Sequence, residues 1–498
     1  MSKLKSPVAV QAFMGTSPLW YKQAILACLI INPIILFTLG PIVTGWVILV
    51  EFIATLALAL KCYPLIPGGL LALEAVFMQM VTPHAIYEEV KHNLEVILLL
   101  LFMVAGIHFM KDLLAWIFTK IIVGIRSKIG LSLTFAFAGA FLSAWLDALT
   151  VTAVMIAVAI AFYNIYTGAS LEEKAANMDN HNDRKRVAKE DLEQFSGFLR
   201  NLMMHGVVGT ALGGVSTQVG EPQNLIIASS MKWSFVDFYL EIVHVSLPVL
   251  VFGLLTTIVV ERLHIFGYGY ALPDNVRRIL ENEGKRMQEQ LDSRKIYNLI
   301  VQGLVGLWLI IGLALHLAEV GLIGLSVIVL LTALTGKIDE NTIGHAFEEA
   351  TPFTSLLVVF FVVVAMIEQN HLFTPVIQMA LDTSPEMQPY VFFVFSGLLS
   401  AISDNVFVGT IYIKQAVANL GYASDQARAV AVAINVGTNI PSIATPNGQA
   451  AFLFLLTNAI AVRIKLSYLR MVVMAIPYFI VLTIVSLIFL QWYWIGGH

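Results

Sequence analysis

Two aspartates lie in sequence that offers them little polar company. Asp147 is the only ionisable residue between Phe141 and Phe162, FLSAWLDALTVTAVMIAVAIAF. Asp404 ends the similar run LSAISD at 399–404. A carboxylate at the centre of a bilayer costs about 3 kcal/mol on insertion scales. Burial and a like-charged neighbour both favour the protonated carboxyl. A pair so placed can hold a proton at neutral pH and release it when a metal cation arrives. Small polar residues accompany both: Ser143 before Asp147, Ser400 and Ser403 before Asp404, and Asn405 after it. The plainer reading of each aspartate is a helix cap or a structural hydrogen bond.

Two further stretches offer oxygens. GGVSTQVGEPQN (213–224) and GTNIPSIATPNG (437–448) interrupt apolar sequence with Gly and Pro, which break helical hydrogen bonding. Broken backbone at membrane depth survives only where protein or a water-filled cavity satisfies it. Its freed carbonyls and half-helix ends can then coordinate a cation. The side chains suit a hard cation: Thr217, Glu221, Gln223 and Asn224 in one stretch, and Thr438, Asn439, Ser442, Thr445 and Asn447 in the other. No Cys/His cluster has transition-metal spacing. The alternative is a kinked helix whose polar caps satisfy its own backbone.

The elements that position these residues follow from composition. The chain has 498 residues, 58% hydrophobic and only 12% charged, with mean hydropathy +0.81. Soluble domains are about a quarter charged. The fold class is therefore an all-α polytopic membrane protein. A net charge of -4 and the lack of a long basic run argue against a nucleic-acid partner. Cys28 and Cys62 lie in or beside apolar segments and imply no disulfide framework. The N-terminus shows no signal-peptide cleavage pattern, so the first apolar segment is expected to remain as a span.

About 11 transmembrane helices are expected, near 24–40, 44–61, 65–82, 93–110, 199–230, 242–260, 296–317, 320–336, 353–369, 426–461 and 470–492. The segments 199–230 and 426–461 are interrupted. Segments 130–166 and 388–420 read as re-entrant hairpins. The polar stretches 168–197 and 261–295 read as solvated loops. Basic clusters at Lys3, Lys5 and Lys22, at Lys111–Lys128, and at Arg463–Arg470 all fall inside if each hairpin enters and leaves on one side. The N-terminus is then cytoplasmic and the C-terminus external.

The chain also repeats itself. LSAWLD (142–147) and LSAISD (399–404) agree at four of six positions, 257 residues apart. HAIYEEV (84–90) and HAFEEAT (345–351) each precede an apolar span, and each half carries its interruption downstream of the aspartate. Paired interruptions in two inverted halves point to a transporter's midplane site. The organisation expected is a first cytoplasmic segment and span at 1–43, inverted repeat 1 at 44–262, a cytoplasmic linker at 263–295, and inverted repeat 2 at 296–498. Chance likeness between apolar segments is the competing account.

Other ionisable residues carry less. Glu51, Glu74, Glu95 and Glu319 sit in or near spans, where span ends explain several. His205, in RNLMMHGVVG, titrates in the window for pH sensing, although a satisfied buried histidine is the commoner case. The pairs Glu88–Glu89 and Glu348–Glu349 fit short amphipathic surface helices. His84 and His345 report the repeat.

These motifs resemble a known family. GGVSTQVGEPQNLIIA resembles the Gly-Gly-x-x-Thr-x-x-Gly-x-Pro-x-Asn signature of the ion transporter superfamily, and SAISDNVFVGT looks like its Asp-Asn hairpin tip. Within it, the chain resembles NhaB-type sodium/proton antiporters from SPLWYKQAIL (17–26) through QFSGFLRNLMMHGVVGTALGG (194–214) to NIPSIATPNGQAAFLFLLTNAIA (439–461). Only the two polar loops and the termini lie outside the likeness. The resemblance implies a bacterial inner-membrane transporter that exports Na⁺, and Li⁺ with it, against inward H⁺. It implies no enzyme activity and no cofactor beyond the transported ions. It also implies contact with membrane lipid, a scaffold and a transport domain, and a homodimer as in many superfamily members. Dicarboxylate carriers of the superfamily carry Ser-Asn-Thr at both tips. Here Asp147-Ala148-Leu149 and Ser403-Asp404-Asn405 replace neutral groups with acids, which fits cations and protons.

Two other functions compete. A Na⁺- or H⁺-coupled carrier of an organic or inorganic anion would favour an arginine near the tips, and the sequence has none there. An intramembrane aspartyl protease would resemble others in a Gly-x-Gly-Asp motif, which is absent. No Gly-x-x-x-x-Gly-Lys-Ser/Thr loop points to a nucleotide-driven pump.

Overall fold

The computed structural model describes residues 12–176, 181–289 and 291–495, and among them every regular element is helical. Six helices are long and apolar enough to cross a membrane: Leu19–Leu39, Ala148–Gly168, Phe235–Leu263, Ser293–Ala314, Ala350–Gln369 and Tyr468–Tyr493. A seventh span arises if Pro83–His92 and Leu94–His108, bent by 63°, count as one. Five shorter apolar helices complete the set: Pro41–Ala57, Leu65–Phe77, Lys128–Ser143, Val320–Thr335 and Gln388–Ser400. The protein is thus a polytopic helical membrane protein, with fewer full-length helices than the expected spans. Length explains this: several expected spans are half-helices or helices of 13–17 residues, short of the ~20 that cross a bilayer.

The polar stretches depart from expectation. Residues around 168–197 belong mainly to two long helices, Ala148–Ala176 and His181–Gly214. The second polar stretch contains the helix Asp274–Glu289. Charge alone does not prevent helix formation, since Glu, Lys and Arg are good helix formers. The Glu348–Glu349 pair likewise sits inside the 30-residue helix Glu340–Gln369 rather than in a short surface helix.

The site is positioned by two hairpin-like units and two broken helices. The first unit runs Lys128–Ser143, turns at 144–147, and returns along Ala148–Ala176. The second runs Gln388–Ser400, turns at 401–404, and returns along Asn405–Leu420. The first broken helix is His181–Gly214 followed by Pro222–Met231. The second is Asp425–Asn439, a 3₁₀ turn Pro441–Ala444, then Ala450–Thr457. Pro222 at the first position of its helix and Pro441 at the first of its turn set the restarts.

Each hairpin arm packs on its broken helix through glycine. A Cβ on Gly213 would lie 1.8 Å from Ala140 O, and one on Gly209 would lie 2.2 Å from Ala136 O. In the second half a Cβ on Gly437 would meet Ser396 Oγ at 2.4 Å and Phe393 O at 2.8 Å. Backbone therefore touches backbone in both pairs, most closely in the first.

Candidate functional site

Both aspartates begin the second arm of their hairpin. Asp147 Oδ2 accepts from Thr150 N at 3.1 Å and from Thr150 Oγ1 at 3.5 Å. Asp404 Oδ1 accepts from Val406 N at 2.8 Å and Phe407 N at 3.4 Å. The helix-cap reading is therefore realised at both positions. It does not exhaust either group, because one oxygen serves the cap and a carboxylate has about four acceptor sites. The N-termini of the returning helices also favour negative charge at these two points.

The broken segments close on the hairpin tips with matching bonds. Thr217 Oγ1 donates to Ala144 O, and Thr445 Oγ1 donates to Ala401 O. The two breaks are tied to each other by amides. Asn439 Nδ2 donates to Asn224 Oδ1 at 3.1 Å, and Gln223 Nε2 donates to Asn439 Oδ1 at 3.0 Å. Asn224 Nδ2 in turn holds the freed carbonyls of Gly214 and Thr217, both at 2.7 Å. Two residues the sequence did not single out complete this belt. Gln449 Nε2 donates to Asn439 O at 2.7 Å, and Asn435 Nδ2 donates to Val215 O at 3.1 Å. Only their closeness to the interruptions could have marked them.

Glu221 is buried at the cap position of Pro222–Met231 but makes no capping bond. Its carboxyl interacts with the charges of both Asp147 and Asp404 and lies beside the Asn405 side chain. Ser143 is next to it: a Cβ on Gly214 would be 3.2 Å from both Glu221 Cγ and Ser143 Oγ. Among the described residues, the oxygens Ser143 Oγ, Ser400 Oγ, Glu221 Oε1, Gln223 Oε1 and Gln449 Oε1 are buried without a hydrogen-bond partner. Buried polar atoms are nearly always satisfied. Ser143 Oγ and Glu221 Oε1, unpartnered oxygens close to each other, are the hard donors that a small hard cation takes.

A cavity of about 530 Å³ reaches this centre. Asp404, Thr150 and Asn447 supply its polar wall, with Tyr63, Val104, Pro352, Phe353 and Phe454 among the rest. A void of about 10 Å³ touches Asp147 between Val219, Pro222 and Val104.

The structure separates the remaining expected residues by what they bond. Ser403 Oγ donates to Leu399 O at 2.7 Å, and Thr438 Oγ1 donates to Ile434 O and Asn435 O, so each hydroxyl proton goes to its own helix end. Ser442 Oγ donates to Asn439 O at 2.8 Å. Asn447, on the same cavity wall as Asp404, donates through Nδ2 to Leu56 O at 3.1 Å and Ala57 O at 2.7 Å, and its Oδ1 is buried with no partner among the described residues. His205 belongs to a different polar cluster. Its Nε2 meets Glu261 Oε1 and its Nδ1 meets Tyr478 OH, both at 2.8 Å, and its ring stacks on Tyr268. Lys128 Nζ, at the foot of the first hairpin, lies 3.5 Å from Glu261 Oε2.

A family model described as bacterial Na⁺/H⁺ antiporter B (NhaB) matches residues 1–495. The Na(+)/H(+) antiporter NhaB of Yersinia enterocolitica is 57% identical over 481 residues, covering 96% of this chain and 92% of that protein. The Na(+)/H(+) antiporter NhaB of Serratia proteamaculans is 55% identical over 491 residues, covering 97% and 93%. The solved structure of the Alcanivorax borkumensis YdaH transporter is similar with a TM-score of 0.49 at 15% identity, covering 83% of this chain and 88% of that one.

Proposed function

This chain belongs to the bacterial Na⁺/H⁺ antiporter B (NhaB) family, and from that premise we propose how it exchanges Na⁺ for H⁺. It is a multi-pass membrane transporter. Its substrates are the two ions, with Li⁺ accepted in place of Na⁺. Asp147, Asp404 and Glu221 form one acidic centre that holds either protons or a sodium ion. Ser143, Asn405 and Gln223 supply further groups around it. Thr217, Asn224, Asn439 and Thr445 fix the broken backbone that surrounds the ion.

The cycle follows from competition at this centre. Facing the cytoplasm, the acids lose protons and take sodium. The hairpin units then move against the helices around them and expose the site outside, where protons displace sodium. With more protons than sodium ions per cycle, the membrane potential adds about 2.3 kcal/mol per charge per 100 mV. In this reading the chain has 11 spans and two re-entrant hairpins. The halves 44–262 and 296–498 are inverted, the N-terminus is cytoplasmic, and the C-terminus is periplasmic at the bacterial inner membrane. Lipid surrounds it, and two copies pair. His205 tunes the pH profile through its contacts with Glu261 and Tyr478. His205→Gln would then move the profile without moving sodium affinity.

The observation that carries the assignment is Glu221 within electrostatic reach of both hairpin aspartates, with its own Oε1 and the neighbouring Ser143 Oγ unpartnered. Everted membrane vesicles from a strain lacking its own antiporters test it. With the lumen acidified by respiration, NaCl should alkalinise it in the wild type and not in Asp147→Asn. Exchange intact in both Asp147→Asn and Asp404→Asn would sink the site assignment.

A further inference from the structure

A second acidic pair lies among the first three helices. Asn32, on Leu19–Leu39, is fully buried and donates through one nitrogen to two carboxylates. Its Nδ2 is 2.7 Å from Glu51 Oε2 and 2.8 Å from Glu74 Oε2. Glu51 comes from Pro41–Ala57 and Glu74 from Leu65–Phe77, so one amide bridges three helices. Glu74 is more than nine-tenths buried.

Among the described residues, two oxygens in this group lack any donor: Asn32 Oδ1 and Glu74 Oε1. The groups that face the pair are the Cys28 thiol, which meets Glu51, and the two carboxyls themselves. Leu19–Leu39 is one of the candidate spans, and it turns Ile30, Ile31, Ile34 and Phe37 outward. Two ionised carboxylates this close in apolar surroundings repel each other, and among the described residues neither has an ion-pair partner. The group is short of positive charge and short of a donor. A metal ion fits poorly, because hard cations gather about six oxygens and three residues supply the oxygens here. One proton supplies both the charge and the donor.

We infer that Glu51 and Glu74 share a single bound proton across Asn32, at a proton-binding site separate from the acidic centre of the hairpins. The site bears on that centre through backbone. Glu51 lies little more than a turn before Leu56 and Ala57, whose carbonyls receive Asn447 from the second broken helix. The shared proton holds together the helices on which that segment docks.

The test uses the full chain in membrane vesicles. Dicyclohexylcarbodiimide is apolar and reacts with protonated carboxyls. The acid proton passes to a carbodiimide nitrogen, the carboxyl oxygen bonds to the central carbon, and the adduct rearranges to a stable N-acylurea found by peptide mass spectrometry. Glu51 or Glu74 should be labelled at neutral pH. E51Q and E74Q should each abolish labelling at the other carboxyl, because the remaining acid loses the like charge that retains the proton. Infrared difference spectra between wild type and E74Q should show the C=O stretch of a protonated carboxyl in the wild type only. That band decides the matter if the reagent is excluded from the site. Absence of both label and band overturns the inference. So does labelling of one carboxyl that persists unchanged when the other becomes glutamine, since the two would then titrate independently. Displacement of the label by Na⁺ would make the occupant a metal cation and overturn it equally.

Discussion

The two hairpin tips share a framework and differ in what it carries. In each, an aspartate caps the returning arm, and a threonine from the broken segment donates to a tip alanine carbonyl. Beyond that the halves part. The first break supplies Glu221, buried and within electrostatic reach of both aspartates. The second supplies Asn447, which binds the end of Pro41–Ala57. One half adds charge to the centre and the other anchors the centre to its surroundings. A repeated scaffold thus holds a site that is not symmetric, and its chemistry lies where the copies disagree.

The largest expected effects test what the halves share. Asp147→Asn and Asp404→Asn should each lower sodium-driven exchange in vesicles about 100-fold or more, as loss of a buried charged contact worth ~3 kcal/mol implies. If only one matters, the tips are not equivalent. Next is the closeness of packing. Gly213→Ala should cost about 3 kcal/mol, the upper end for overpacking, and Gly437→Ala about 1 kcal/mol. Thermal unfolding in detergent measures both, and equal costs would mean that the first contact is no tighter. Glu221→Gln should weaken half-saturation by Na⁺ about tenfold, as losing ~1.4 kcal/mol implies. Asn447→Ala should instead slow exchange with little change in that value. The reverse pattern would exchange the roles given to the two breaks. The smallest effects belong to the matched threonines. Thr217→Val and Thr445→Val should each cost about 1 kcal/mol, the net worth of one hydrogen bond. Unequal losses would limit the likeness to appearance.

Much of this was legible in the sequence because membrane burial is so unforgiving. A lone Asp147 in an apolar run, and Gly/Pro breaks at matching places, have few bland explanations, and both lead to the centre described. Asp404, Glu221 and Asn224 follow for the same reason. Partner choice was not legible. Thr438 and Ser403 offer oxygens by type, and their hydroxyls donate to their own helix ends, as Ser and Thr often do. Asn447 falls at a break, and its amide nitrogen bonds the distant end of Pro41–Ala57, a contact that spacing does not show. The amide belt at Asn435 and Gln449 depends on two distant segments meeting, which periodicity cannot show. Helix lengths were less legible for a related reason. Hydropathy measures how apolar a stretch is and does not see where Leu65–Phe77 stops or where Pro83–His92 bends from its neighbour.

The glycine contacts have one more consequence. Ridges of side chains let packed helices creep past one another in small steps, since rotamers can yield. Where Gly209 and Gly213 set bare main chain against Ala136 and Ala140, nothing on that surface can yield. Hairpin and broken helix are keyed together like a tenon in its mortise. A passenger gripped between them is carried by displacing the whole joint, and slack has to come from the softer seams that border it.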